Sequence, residues 1–128
     1  MKQEELRDDR GSADMLVALP LLFAMLIGLV QYGLWAHAQH RAQAAAAEAL
    51  AAGRVFEGSA REGRMRGEAF AEGLGGRVLE DLRVHVERRD GTAHARVEAV
   101  SISLIPGFTP TVSASLSGPI EQPPTEAR

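Results

Sequence analysis

Residues 15–37 read MLVALPLLFAMLIGLVQYGLWAH, 23 consecutive positions without an Asp, Glu, Lys or Arg. About 20 apolar residues in a helix, at about 1.5 Å of rise each, cross a hydrocarbon core of about 30 Å. The stretch therefore predicts a transmembrane helix over residues 12–38, and a helix is required because lipid offers no partner to a bare N–H or C=O. Pro20, Gly28 and Gly33 lie inside it. They weaken a helix in water but are tolerated in a span, where Pro20 frees the carbonyl of Leu16 and is expected to kink the first turns. Tyr32 and Trp35 stand near the far end, where amphipathic rings favour the headgroup layer. Lys2, Arg7 and Arg10 precede the segment and only Arg41 follows closely, so the positive-inside rule puts the N-terminus in the cytoplasm and the rest outside the cell membrane. Two other readings stay open. One is a core helix of a soluble protein, which the short, polar remainder is poorly sized to bury. The other is a cleaved secretory signal, for which Ala36 and Ala38 offer the small-residue pattern.

The 128 residues suit one small domain plus its anchor. A mean hydropathy of -0.09 averages an apolar block with a remainder dominated by Ala, Gly and charge. The net charge of -3, with arginines interleaved among acids, gives no basic patch, so nucleic acid is not an expected partner. The absence of cysteine excludes disulfides, thiolate metal sites and thiol nucleophiles.

Outward from the span, residues 39–57 form an Ala-rich stem in which the helix is expected to continue to about Val55. Gly58 and Ser59 supply a stop and a new N-cap. A second, short helix follows, its apolar stripe read from Ala69, Phe70, Leu74 and Val78, with Gly75 and Gly76 as an interruption. At Leu82 the period changes to two: Leu82, Val84 and Val86 alternate with Arg83, His85 and Glu87. Asp90-Gly91 is a favoured hairpin turn, after which Ala93, Ala95, Val97 and Ala99 continue the alternation. A slip of phase into Val100, Ile102 and Leu104 predicts a bulge near Ala99 and Val100. Pro106-Gly107 breaks the run, and Val112, Ala114 and Leu116 make a third strand. The fold class is thus α+β: a long N-terminal helix, a short second helix and a small three-stranded antiparallel sheet covered by that helix or the stem. The extracytoplasmic domain is placed at residues 58–118. Residues 119–128, rich in Pro and Glu, read as a disordered tail, with an extension of the last strand through Ile120 as the exception.

No residues assemble into a catalytic or cofactor site. His37 and His40 are three apart on one helix, but Glu48 is too distant to complete a metal site. His85 and His94 fall on facing strands as candidate cross-strand neighbours, without a third ligand or nucleophile. Gly73, Gly75 and Gly76 lack the Lys-Ser/Thr and preceding strand of a phosphate loop. Gly28 and Gly33 miss the four-residue spacing of close helix packing in lipid. Ser113, Ser115 and Ser117 read as the wet face of the sheet, or as a surface for a partner's edge strand. Neither a cofactor, a metal nor a small-molecule substrate is expected, and the chain is not read as an enzyme.

The order of parts carries a resemblance. A charged leader, Arg10-Gly11-Ser12-Ala13-Asp14, an apolar span containing Pro20, the stem LWAHAQHRAQAAAAEA and the ending SLIPGFTPTVSASLSGPIEQ resemble TadE-like pseudopilins of tight-adherence (Flp) pilus systems, in particular actinobacterial members. Such proteins read like RGSxxxE before the span, with Glu at the fifth mature position. Counted from the cut that position is Leu16, while alignment on the proline gives the acid's place to Asp14. The resemblance implies that a prepilin peptidase cuts after Gly11 and leaves Ser12 as the new N-terminus. It also implies that Asp14 guides assembly by pairing with the Ser12 amine of a neighbouring subunit, although Asp14 also reads as a hydrated acid favoured near a helix N-terminus. The implied function is that of a minor pseudopilin, and its partners are membrane lipid, prepilin peptidase, other pilin-like subunits and pilus assembly membrane proteins. The residues alone leave two alternatives: an unprocessed, membrane-tethered binding domain and a small secreted protein.

Overall fold

The structure, a computed structural model, describes the backbone of residues 2–73 and 79–123 and the side chains of residues 10–73 and 79–123. Helix α1 covers Lys2–Arg54, helix α2 Ala60–Gly73, and strands β1, β2 and β3 cover Leu79–Arg89, Thr92–Ser101 and Thr111–Pro119. The chain divides into two compact units, Met1–Gly33 and Leu34–Arg128. The first is the N-terminal portion of α1. The second holds the remaining turns of α1, the second helix and the sheet, whose strands pair antiparallel in the order β1-β2-β3.

The change of period from helix to strand is where the sequence puts it. In the first hairpin Asp90 and Gly91 both have positive φ, 51° and 75°, the pair of left-handed conformations that a two-residue turn needs to match the twist of its strands. Arg89 then faces Thr92, and the register runs from there. Ala93, Ala95, Val97, Ala99 and Ser101 of β2 are buried. The inward phase of β2 therefore does not slip at Ala99 and Val100, and β2 itself carries no extra residue there. Ser101 misleads a hydropathy reading: it occupies an inward position as a polar residue, and its hydroxyl donates to the Ile102 carbonyl at 3.3 Å. The irregularity of register does lie beside Ala99, but on the facing strand: Glu80 pairs with Val100 and Arg83 with Glu98, so Asp81 and Leu82 of β1 oppose Ala99 alone, and Asp81 has a φ of 49°. Strand β1 also begins at Leu79, three residues before Leu82.

Both candidate covers of the sheet are used. Ala38, Ala42, Ala45, Ala46 and Ala49, a stripe at spacings of three and four along α1, are fully buried in one core with Val84, Ala95, Val97, Ala99, Val112 and Ala114. Small side chains on both partners let backbone approach backbone. Helix α2 continues the same device, with Gly63 and Gly67 as its buried residues. A Cβ at Gly67 would stand 2.8 Å from the Ala49 Cβ and 3.0 Å from the Val84 Cγ1; at Gly63 it would stand 2.8 Å from the Ala49 carbonyl oxygen and 3.1 Å from the Gly53 Cα. The contact face of α2 is thus glycine, four residues apart, against Ala45, Ala49 and Gly53. The apolar stripe expected through Ala69 is not that face: Ala69 is exposed, while Phe70 and Ala71 pack at the edge of the core. Periodicity arguments weigh large side chains, and this contact excludes them. Leu74, Gly75, Gly76 and Val78 lie outside the described residues.

The two helices are joined by a tight stop and start. Gly58 N–H donates to the Val55 carbonyl at 2.9 Å. Ser59 then caps α2 reciprocally: its hydroxyl accepts from Glu62 N–H and the Glu62 carboxylate accepts from Ser59 N–H, both at 3.1 Å. At the far end of β3, Ile120 N–H donates to the Gly91 carbonyl and Glu121 N–H to the Arg54 carbonyl, both at 2.8 Å, so the chain stays paired beyond Pro119.

Replacing Gly67 by Leu forces a side chain into the α1–α2–β1 contact. Overpacking of about 1–3 kcal/mol outweighs the roughly 1 kcal/mol that a better helix former returns. A thermal melt of the detergent-solubilised protein followed by circular dichroism should show a lower midpoint for Gly67→Leu. Gly73→Ala, where a Cβ meets nothing within 4 Å, should leave it unchanged or slightly raised.

Candidate functional site

In the N-terminal unit every described residue from Arg10 to Val30 is exposed. Met15, Leu16 and Val17 are 75%, 75% and 73% exposed, and consecutive residues sit about 100° apart around a helix, so apolar surface faces every direction. Leu22, Met25, Leu26 and Leu29 continue it. A helix that is apolar all round is stable only when lipid or other helices surround it. This part of α1 is long and apolar enough to cross a membrane, and none of that apolar window is buried within the protein. It fits a single-pass membrane anchor.

Gly11, Ser12 and Asp14 are all exposed and helical, upstream of that surface. Gly11 and Asp14 are three residues apart and so share a helix face. A Cβ on Gly11 would meet nothing within 4 Å, so its lack of a side chain is not a packing requirement of the fold. Pro20 is exposed within continuous helix. Tyr32 is 65% exposed.

Trp35, the second residue of the second unit, has a task that its reading as an interfacial ring does not contain. Its ring packs against the core, and its Nε1–H donates to the Thr111 carbonyl at 3.2 Å. Gln39, one turn on, donates from Nε2 to the Ser113 carbonyl at 2.7 Å, and Arg54 donates from Nε to the Pro119 carbonyl at 2.8 Å. Strand β3 is an edge of the sheet, and Ser101 N–H donates to the Pro110 carbonyl. Even-numbered residues of this strand therefore bond to β2, and the carbonyls of 111, 113 and 119 point to the open edge. Three side chains of α1 cap that edge along its length, which blunts a template for unwanted strand pairing. The signal in the sequence was only the i, i+4 spacing of Trp35 and Gln39, which without the strand beside it says nothing.

The histidines do not converge. His37 Nε2 accepts from Arg41 Nε at 3.0 Å, and His37 and His40 are exposed. His85 faces Arg96, and His94 faces Glu87 and Ser117, so the two imidazoles are diagonal on the outer face of the sheet instead of directly opposed. Among the described residues no three His, Asp or Glu side chains are placed to hold a metal ion. Ser113, Ser115 and Ser117 are exposed on that same outer face, beside Arg96, which pairs with Glu98 at 2.6 Å.

Comparison with known proteins bears on the helical segment. The family model described as TadE-like protein matches residues 11–51. Residues 11–51, from Gly11 through the apolar segment and most of the alanine stem, are thus similar to TadE-like protein, while the ending SLIPGFTPTVSASLSGPIEQ, on which the resemblance was also read, lies outside the match. TadE-like proteins are structural and assembly proteins of pili. No curated protein and no solved structure matches the chain.

Trp35→Phe keeps the ring and removes its donor. The loss of one such hydrogen bond should cost about 0.5–1.5 kcal/mol. It should appear as a lower melting temperature of the domain and faster amide exchange in β3, with the helix content of the native protein unchanged.

Proposed function

From a TadE-like helix that no part of the described chain covers, we propose that this protein is a minor pseudopilin-like subunit of a tight-adherence (Flp) pilus or related secretion system. The observation that carries the reading is the coincidence of the family match with the all-round apolar exposure of α1. The mechanism is a change of solvent. The segment first dissolves in lipid with the N-terminus in the cytoplasm, and then buries the same surface against the helices of other pilin-like subunits as it is drawn into the appendage.

Processing sets the two states apart. In this reading prepilin peptidase cuts between Gly11 and Ser12, and pilus assembly membrane proteins take up the cleaved chain. The bond lies in helix, so the peptidase must open a turn to reach it. Gly11 assists, because glycine weakens a helix by about 1 kcal/mol relative to alanine and leaves the backbone approachable. That the family match starts at Gly11 supports a boundary at this point. Cleavage creates a charged amine on Ser12, and in this reading Asp14, which is exposed at the border of the apolar surface, pairs with the amine of a neighbouring subunit. An ion pair at the edge of lipid is worth more than one in water because the local dielectric is lower.

In the native host the recovered protein should begin at Ser12 and partition with membranes. Gly11→Leu should abolish that cut and leave the leader attached. An intact leader in the unaltered protein would instead indicate a permanent tether, and a soluble form starting near Gln39 would indicate secretion. Asp14→Ala should still be cut at Gly11 but recruited into the appendage less well, scored by the fraction of protein in sheared surface material.

A further inference from the structure

The connection between β2 and β3, residues 102–110 with the sequence ISLIPGFTP, exposes Leu104, Ile105 and Phe108 at 53%, 41% and 49%. No Asp, Glu, Lys or Arg occurs from Ala99 to Ile120, in a chain that is 24% charged. The loop is also internally built. Phe108 N–H donates to the Ile105 carbonyl at 3.2 Å across Pro106 and Gly107, and Gly107 has a φ of 76°, as the third position of a type II turn requires. Ser103 closes the approach: its hydroxyl donates to the Ile105 carbonyl at 3.0 Å and accepts from Ile105 N–H at 3.1 Å. Ser101 N–H to the Pro110 carbonyl, 2.8 Å, shuts the base. Side chains point outward while much of the backbone is already satisfied, so little polar backbone would need to be desolvated when the tip leaves water.

Its place in the domain matters as much as its composition. Trp35 Nε1 meets the carbonyl of Thr111, the residue just after the loop, and Trp35 directly follows Leu34, where the chain arrives from its apolar segment. Phe108 is three residues from Thr111, hence within about 10 Å of it along the chain. The loop therefore occupies the end of the domain at which the anchor joins, and the Asp90-Gly91 turn occupies the other end of the sheet.

We infer that residues 104–108 form a second membrane contact, in which Leu104, Ile105 and Phe108 enter the headgroup and upper acyl layer of the bilayer that holds α1. The partner is a lipid surface. The absence of charge, the bulky apolar tip and the adjacent indole match an interfacial insertion of about 5–10 Å. A second attachment point limits rotation of the domain about its single helix and holds its outer sheet face at a set attitude to the membrane. The inference rests on residues 15–37 spanning the membrane, and the test separates the two.

Because the chain has no cysteine, a single introduced thiol takes a label at one place only. Full-length protein carrying Phe108→Cys, Asp90→Cys or Met25→Cys, each with an environment-sensitive fluorophore, is reconstituted in phosphatidylcholine–phosphatidylglycerol vesicles with and without brominated lipid. The label at 25 should be strongly quenched, the label at 108 blue-shifted and quenched several-fold more than the label at 90, and the label at 90 indifferent to bromine. Quenching at 25 with a label at 108 as aqueous as that at 90 overturns the loop contact and leaves the span intact. Aqueous labels at both 25 and 108 overturn the span itself. A label at 108 that is shielded only as protein-to-lipid ratio rises, without quenching by brominated lipid, assigns the loop to a second copy of the chain and overturns the lipid contact. Phe108→Glu and Ile105→Asp in an otherwise unaltered full chain should reproduce the outcome without a label, by making the loop accessible to added protease in vesicles.

Discussion

Close approach of backbone to backbone, permitted by alanine and glycine, is the interaction on which the folded unit depends. Buried side chains in α1 are all alanine between Ala38 and Ala49, and those they meet in β2 and β3 are alanine and valine. Such a core removes little apolar area per residue from water, so its stability must come from dispersion between surfaces in full contact. Glycine at positions 53, 63 and 67 is what closes the distance between the helices. In a core of leucine and phenylalanine a lost methylene is absorbed in part by neighbours. Here there is little to relax, and an added atom meets backbone or a short alanine or valine side chain.

That economy has a functional logic. In the proposed role, in which the helix passes from a bilayer into an assembly, a large apolar surface has to stay uncovered by the chain's own fold. Helix α1 divides this work by residue size. Residues 15–30 carry leucine, methionine, isoleucine and phenylalanine and are exposed throughout; residues 38–49 carry alanine and are buried on one side. Large side chains seek a partner supplied from outside the chain, and small ones accept the sheet. The polar side chains of the second half complete the docking, since Trp35, Gln39 and Arg54 each donate to a β3 carbonyl that would otherwise be open. The edge of the sheet is thereby protected from pairing with a strand of another chain.

Much of this was legible without coordinates. The uncharged run at 15–37, the alanine stem, the Ser59 cap, the Asp90-Gly91 turn and the three alternating strands are local signals, each read from a few adjacent residues. The readings that needed correction concern residues whose role is set by something distant. Val100 and Ile102 looked like a shifted inward face because Ser101 is polar, yet the sheet buries Ser101. Ala69 looked like part of a buried stripe because it is apolar, yet α2 turns its glycines inward. Gly11, Ser12 and Asp14 are placed on one exposed stretch of helix, and the roles proposed for them involve a peptidase and a neighbour outside the chain.

Hydrophobicity and its period are carried by the chain itself, so the sequence alone determined that there is an apolar helix, an alanine continuation and a small sheet, in that order. Which faces meet was decided only in three dimensions. A glycine or an alanine has no preference of its own for the inside, and it becomes core when the backbone opposite comes close enough to leave no room for anything larger.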